Sequence, residues 1–472
     1  MFLDIEKKIS ERLCAVSDEG RTLSYGELVS FTESMRKILP PRSLIFSFCQ
    51  NTIGSMAGYV AFLESQNVPL LLNANLDQEL LQYLLDTYSP NYVWIPETNI
   101  NRFEKKPVLA NYGYVLIPYD DKQKNMHAEL ALLLTTSGST GSPKLVRQTY
   151  DNIRANAESI VQYLELHEDE RPITMLPMNY TYGLSVINSH LLIGATILMT
   201  DKSYAQRGFW DFFKRENGTS LVGVPYTYEL LKRLRFFQME LPSLRYMTQA
   251  GGKLLPELHK EFAEYAQKTG RRFYVMYGQT EATARMSYLP YEKSLEKYGS
   301  MGIAIPGGKF HLIDVDGSDV KEPHVTGELV YEGPNVTQGY AECLDDLKKG
   351  DERQGVLVTG DMAEMDEDGY YYIVGRKKRF LKIYGNRVNL DECERMIQGQ
   401  FEDVECACVG EDDHMKIYLT DESYLEDVRT FLAEKTGLHS KAFEAIYIEE
   451  IPKNDSGKKQ YSEIKLLRKE GF

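Results

Sequence analysis

The stretch TTSGSTGSPK (Thr135–Lys144) gathers the hydroxyls of Thr136, Ser137, Ser139 and Thr140, the glycines Gly138 and Gly141, and the cation of Lys144 directly after an apolar run. A glycine-rich turn after a strand exposes backbone N–H groups. With hydroxyl donors and one ammonium added, it matches a polyphosphate better than any neutral ligand. The spacing is not that of a Walker A loop, which needs G-x-x-x-x-G-K-S/T, so an ordinary P-loop ATPase is excluded. On composition alone, a structural Ser/Gly loop is the alternative.

Positioning such a loop takes a layered scaffold, and the flanking sequence supplies one. Strand-length apolar runs at SLIFSF (Ser43–Phe48), VPLLL (Val68–Leu72), NYVWI (Asn91–Ile95), PITML (Pro172–Leu176), TSLVGV (Thr219–Val224), LRYMTQA (Leu244–Ala250) and RFYVMY (Arg272–Tyr277) alternate with helical patterns such as LDQELLQYLLDTY (Leu76–Tyr88). That alternation predicts an α/β fold with parallel layers. From about Gly308 the texture shifts to short strands with glycine turns, KFHLIDVDG, TGELVYEG and DGYYYIVGR, which predicts a small β subdomain. A compact α+β pattern follows the basic cluster RKKRFLK.

At 472 residues the chain exceeds one hydrophobic core, so at least two domains are expected. A net charge of −15 argues against broad binding to nucleic acid or anionic membranes, and against reading RKKRFLK as a nucleic-acid patch. Six cysteines are too sparse for a disulfide framework. Cys406 and Cys408 alternate in VECACVG as core residues of a strand, with no second pair to complete a metal site. The charged start MFLDIEKKISERL lacks the apolar region of a signal peptide, and Ser185–Met199 is too short to span a bilayer. A cytoplasmic protein is expected.

TTSGSTGSPK resembles the phosphate-loop signature of the acyl-adenylate-forming (AMP-binding) superfamily, which includes acyl-CoA synthetases, adenylation domains and firefly luciferase. The resemblance recurs in the family's order over nearly the whole chain. TLSYGEL (Thr22–Leu28) comes first, then the acyl-pocket segment LPMNYTYGLS (Leu176–Ser185) and AGG (Ala250–Gly252) near the adenine. YGQTEAT (Tyr277–Thr283), GELVYEGPNVTQGY (Gly327–Tyr340) and TGD (Thr359–Asp361) follow, and GRKKRFLKIYGNRVNLDECE (Gly375–Glu394) and PKNDSGKKQY (Pro452–Tyr461) close the series.

The resemblance implies that a carboxylate attacks the α-phosphorus of ATP and expels pyrophosphate, so the site must hold two anions in line. Glu281 suits Mg2+, which prefers hard oxygen ligands. Thr280 would hydrogen-bond an α-phosphate oxygen, with Gly251, Tyr277 and Gly278 around the nucleotide. Asp361 would accept the ribose hydroxyls with Arg376 beside it. Lys458 would bridge the carboxylate and α-phosphate oxygens, where negative charge crowds. Without the resemblance, Glu281 and Lys458 read as solvated side chains and Arg376 as part of a basic linker.

The same resemblance implies domains 1–377 and 378–472, joined at a hinge on Lys378. Lys382 and Gly385 would face the site in a second, thioester-forming conformation. Tyr180, Thr181 and Gly252 would line the acid pocket. The chain departs from the family pattern at Leu145, where Gly is usual after the loop lysine, and at Tyr150, the customary His of T-H-x-N. Thr181 stands where ligases for α-amino acids carry Asp. An unpaired ammonium in a pocket costs several kcal/mol, so a fatty, hydroxylated or aryl acid is expected. The acceptor would be a phosphopantetheine thiol, on CoA or an acyl carrier protein. A D-alanine:carrier-protein type of ligase and a non-catalytic nucleotide-binding module are the alternatives.

Overall fold

The computed structural model describes residues 2–135, 144–314, 316–384, 386–401, 404–453 and 459–466. The chain divides into two compact units, Met1–Phe310 with Tyr331–Leu357, and His311–Val330 with Val358–Phe472. The second unit thus takes in a small β-sheet as well as the residues after Lys378.

The first unit is built on an eight-stranded sheet in the order Gly339–Ala341, Leu145–Thr149, Leu130–Thr135, Val68–Asn73, Leu44–Cys49, Tyr92–Pro96, Tyr114–Pro118, Leu109–Asn111. The central strands Leu130–Thr135, Val68–Asn73, Leu44–Cys49 and Tyr92–Pro96 run parallel, and antiparallel strands flank them. A parallel sheet covered on both faces needs apolar residues on both, which is why LIFSFC shows little polar alternation. Leu44, Phe46 and Phe48 enter one core, and Ile45 and Cys49 the other. A five-stranded sheet begins with the parallel strands Ser220–Gly223, Tyr246–Gln249 and Arg272–Tyr277 and ends with antiparallel Ser287–Tyr288 and Ile303–Ala304. The expected strand at PITML does not form. Pro172 and Ile173 make single bridges, to Ser220 and to Leu198, so this segment ties two sheets together instead of joining one ladder.

Local chemistry sets the helix starts. Ser24 and Glu27 form a reciprocal capping box at the head of Tyr25–Ile38, with bonds of 3.1 and 2.7 Å. Thr149 and Asn152 do the same for Tyr150–Leu164. The T-x-x-N motif is therefore a helix cap, and Tyr150 in the His position donates its hydroxyl to the Leu63 carbonyl at 2.8 Å. The apolar stretch Ser185–Met199 turns at Gly194, in the left-handed region at φ 78°, from helix Thr181–Ile193 into strand Ile197–Met199. Among the described residues no helix is long and apolar enough to cross a membrane.

In the second unit, short strands pair antiparallel, among them Asp361–Met365 with Tyr371–Arg376. The C-terminal part packs helices Leu390–Gln400 and Leu425–Thr436 on the sheet Cys406–Glu411, His414–Leu419, Phe443–Tyr447. Cys393, Cys406 and Cys408 lie in this core, where burial pushes the thiols of Cys393 and Cys406 up to about 12.

One buried group gives a pH prediction. Glu64 ends helix Ile53–Glu64 with both carboxylate oxygens buried and without hydrogen bonds among the described residues. Burial first, and the charge of Glu6 second, push its carboxyl from 4.5 up to about 7. The folded state then binds a proton that the unfolded state has already lost, so stability falls as pH rises from about 4.5 to about 7 and levels off above. At about 1.4 kcal/mol per pH unit, the loss is about 3 kcal/mol. Glu64→Gln should abolish that slope and be the more stable protein at pH 8, measured by denaturant unfolding at several pH values. An equal slope in both proteins would refute the assignment.

Candidate active site

Strands Leu130–Thr135 and Leu145–Thr149 are antiparallel neighbours, with Thr135 opposite Leu145. The glycine-rich segment therefore connects a strand to its antiparallel partner, whereas a Walker A loop leads from strand to helix. Thr136, Ser137, Gly138, Ser139, Thr140 and Gly141 lie outside the described residues. Lys144, at the edge of that segment, is exposed; its Nζ pairs with Glu342 at 2.7 Å and stands 5.7 Å from the centroid of the Tyr340 ring.

Tyr340 connects Lys144 to Glu281. Its hydroxyl donates to Glu281 Oε1 at 2.7 Å, and the Arg353 guanidinium stacks 4.6 Å from the same ring. Burial and the neighbouring Glu281 charge push the Tyr340 phenol well up, so it stays a donor. Arg353 also donates to the Glu281 carbonyl at 3.1 Å, as do the Thr337 amide at 3.0 Å and the Thr337 hydroxyl at 2.9 Å. The segment bearing Tyr340 is held by Arg147, a fully buried arginine in strand Leu145–Thr149. Arg147 donates to the Tyr340 carbonyl at 3.0 Å and to Glu352 at 2.5 Å. Tyr340, Arg353 and Arg147 were missed in the sequence. Tyr340 carries no charge to draw notice, but an arginine amid the apolar strand residues of LVRQT was a usable signal.

Thr280 and Glu281 occupy a single 3-10 turn, Thr280–Ala282, just after strand Arg272–Tyr277. Gly278 is obligatory there, because a Cβ would stand 1.8 Å from the Ala284 carbonyl oxygen. Tyr277 accepts a 3.0 Å bond from Gln279 on its hydroxyl. Thr283 ends the turn at φ 64°, ψ −60°, with the Ala284 amide 2.7 Å from the Ala282 carbonyl. This is a γ-turn, a strained geometry for a β-branched residue. It is held from two sides. The Thr283 hydroxyl donates to the Asn335 carbonyl at 2.7 Å, and the Thr181 hydroxyl donates to the Thr283 carbonyl. Two of the expected site segments, Leu176–Ser185 and Tyr277–Thr283, are thus directly bonded through Thr181 and Thr283.

Tyr180 is half-buried, and burial pushes its phenol up to about 12. Gly251, at φ 82°, lies under it, where a Cβ would meet the Tyr180 hydroxyl at 2.5 Å. Gly252 is exposed, and its carbonyl accepts a 2.9 Å bond from Gln249.

In the second unit, Asp361 and Arg376 are register partners on adjacent strands, 3.7 Å apart, with Asp361 buried and Arg376 exposed. Lys378 falls in the 3-10 turn Lys377–Arg379, and Lys382 pairs with Arg387 across the hairpin Phe380–Ile383, Asn386–Asn389. Gly385 and Lys458 lie outside the described residues. A bridge between Lys453 and Lys459 flanks the segment containing Lys458. Lys459 itself is tied inward to Glu394 at 2.6 Å. Arg379 in the basic cluster is buried, pairing with Asp391 at 2.8 Å and Glu394 at 2.6 Å, so this charge serves the unit's core.

Among the described residues no group of three His, Cys, Asp or Glu side chains could cage a metal ion. Glu281 contributes one carboxylate. That fits Mg2+, which is commonly held by one or two carboxylates plus substrate phosphates and water.

The sheet covered on both faces, the antiparallel strands either side of the glycine-rich segment and the Lys144–Tyr340–Glu281 cluster suit a site for a phosphorylated ligand. Residues 6–341 match the family described as AMP-binding enzyme, and the chain belongs to that family. It is 29% identical over 347 residues to indoleacetate–CoA ligase of Aromatoleum aromaticum, covering 71% of this chain and 67% of that protein. It is 28% identical over 416 residues to 2-succinylbenzoate–CoA ligase of Bacillus mycoides, covering 85% and 84%. Its fold is similar to ATP-bound MatB from Rhodopseudomonas palustris, with TM-score 0.80, 22% identity, and 99% and 98% of the chains covered. It is also similar to o-succinylbenzoate CoA synthetase (MenE) from Bacillus subtilis in complex with ATP and magnesium, with TM-score 0.76, 21% identity and 98% of each chain covered.

Proposed function

We propose that this protein is an AMP-forming acid:CoA ligase acting on a carboxylic acid that lacks an α-amino group. The observation that carries the reading is the cluster at Glu281, where Tyr340 donates its hydroxyl to the carboxylate and carries Lys144, at the edge of the glycine-rich segment, over its ring. ATP and an acid bind first. Thr280 holds an α-phosphate oxygen, Asp361 the ribose hydroxyls with Arg376 alongside, and Gly251, Tyr277 and Gly278 border the nucleotide. Mg2+, when bound, lowers the repulsion between the phosphates and the incoming carboxylate. The acid's oxygen attacks the α-phosphorus and pyrophosphate leaves. Lys458 stabilises the charge that builds between the two reacting groups.

The thiol of CoA then attacks the acyl carbonyl and AMP departs. For this step the residues after Lys378 turn, and Lys382 and Gly385 approach the adenylate. CoA is the favoured acceptor because the relatives above are CoA ligases, and a phosphopantetheine-bearing carrier protein is the alternative thiol. Thr181 supports the absence of an α-amino group, since its hydroxyl is committed to the Thr283 carbonyl and it carries no negative charge. A panel of carboxylic acids scored by pyrophosphate release, with CoA or a carrier protein as acceptor, tests the proposal. Aryl, hydroxylated or aliphatic acids should release pyrophosphate and yield CoA thioester. Preference for D-alanine or any other α-amino acid would overturn the substrate class, and no release with any acid would favour a non-catalytic nucleotide-binding module.

A further inference from the structure

Thr283 holds a conformation that a free peptide would leave, so the fold must keep it there. At φ 64°, ψ −60° it is the centre of the γ-turn two residues past Glu281. Such outliers persist only where the surroundings over-determine them, and they gather at sites whose geometry is used. Much of that constraint comes from one residue. Asn335 is 1% exposed, and its side-chain amide donates to the Ala282 carbonyl at 2.9 Å and to the Arg285 carbonyl at 3.2 Å, one on each side of Thr283. Its backbone carbonyl accepts the Thr283 hydroxyl at 2.7 Å. Asn335 thus ties the turn before, at and after its strained position.

Asn335 is itself firmly mounted. The buried Tyr331 hydroxyl donates to its Oδ1 at 2.8 Å, which sets the way the amide faces. On either side of Asn335, the carbonyls of Pro334 and Val336 accept bonds of 2.8 and 2.9 Å from Asn152, the capping-box residue of helix Tyr150–Leu164. Gly333 leaves the space this needs, since a Cβ there would stand 2.8 Å from the Tyr331 hydroxyl and 2.9 Å from Asn335 Oδ1. A metal-binding carboxylate gains from such a mounting. Mg2+ demands near-ideal octahedral geometry, so a misplaced carboxylate binds it poorly. The Thr337 bonds to the Glu281 carbonyl hold one end of the turn, and Asn335 holds the other.

We propose that Asn335 is a positioning residue for Glu281: by clamping the turn 282–285 it keeps the carboxylate where the metal and the phosphates meet it. The inference rests on the ligase reading above. Asn335→Ala should raise the Mg2+ concentration for half-maximal pyrophosphate release at saturating ATP by about 10-fold or more, the scale expected when buried groups lose a hydrogen-bond partner. Thr283→Gly removes the need for the clamp, because glycine takes positive φ without steric cost. The double variant Asn335→Ala, Thr283→Gly should therefore need Mg2+ within about threefold of Thr283→Gly alone, the non-additivity that marks two residues acting on one turn. A role confined to stability would instead lower the melting temperature of Asn335→Ala and leave its Mg2+ requirement unmoved, which overturns the inference. If Asn335→Ala does not fold, Tyr331→Phe decides. It deletes one buried hydroxyl and should raise the Mg2+ requirement by about threefold, and no rise overturns the inference. A double variant as impaired as Asn335→Ala also overturns it. Each of these failures leaves the ligase reading intact, whereas no release by the wild-type protein with any acid overturns both.

Discussion

Lys458→Ala should lose about 10²- to 10³-fold in pyrophosphate release, the usual cost of removing one donor aimed at developing transition-state charge. It should still transfer the acyl group from chemically made acyl-adenylate to CoA at near the wild-type rate. Lys382→Ala should behave in the opposite sense, with a normal first-turnover burst of pyrophosphate and slow thioester formation. The logic is that one site serves two reactions whose charge demands differ. Adenylation brings a carboxylate against phosphate oxygens and needs a cation between them. Thiolysis begins from an acyl-adenylate and needs the pantetheine thiol placed instead. Swinging the residues after Lys378 would present each lysine only when its step occurs. Rapid-quench measurement of both half-reactions for both variants checks this. Equal damage to both steps by each substitution would mean one fixed arrangement, and the hinge at Lys378 would be withdrawn.

Glu281→Gln should be the next most damaging change, with turnover falling by about 100-fold and the Mg2+ requirement moving to higher concentration. The amide keeps the size and an acceptor oxygen but removes the charge that a hard divalent ion needs. Tyr340→Phe should be milder, about 10-fold or somewhat more, because it deletes one hydrogen bond to a charged group, typically worth about 1.5–3 kcal/mol. Asp361→Ala should act differently again, raising KM for ATP with kcat little changed, as expected when a ground-state contact to the nucleotide is removed. Titrating Mg2+ at saturating ATP, and ATP at saturating Mg2+, separates the three. If Glu281→Gln and Asp361→Ala both retain wild-type kinetics, the residue roles are wrong even though the family membership stands.

Much of the fold could be read from the chain because it depends on neighbours close in sequence. The strand-length apolar runs at Ser43–Phe48 and Val68–Leu72 predicted parallel α/β layers, and both form parallel central strands of the eight-stranded sheet. Cys406 and Cys408 alternated into a core as expected, and both are fully buried. The failure at PITML has a local appearance and a distant cause, since two different sheets compete for its hydrogen bonds.

The sequence by itself determined the order of motifs, the helix caps at Ser24 and Thr149, and the residue types that the chemistry demands. These are decided within a few residues, by side-chain oxygens reaching nearby amides and by the periodicity of burial. Tertiary structure alone decided which groups meet. Tyr340 reaches Glu281 from 59 positions away, and Arg147 reaches Glu352 across 205. Asp361 faces Arg376 because the turn between their strands sets the register. Nothing near Arg285 in the sequence marks it for burial. Only packing by Tyr163, Tyr182, Ser185 and Met276 makes it a buried guanidinium, because burial is a property of all the elements surrounding a side chain and no short window of sequence contains them.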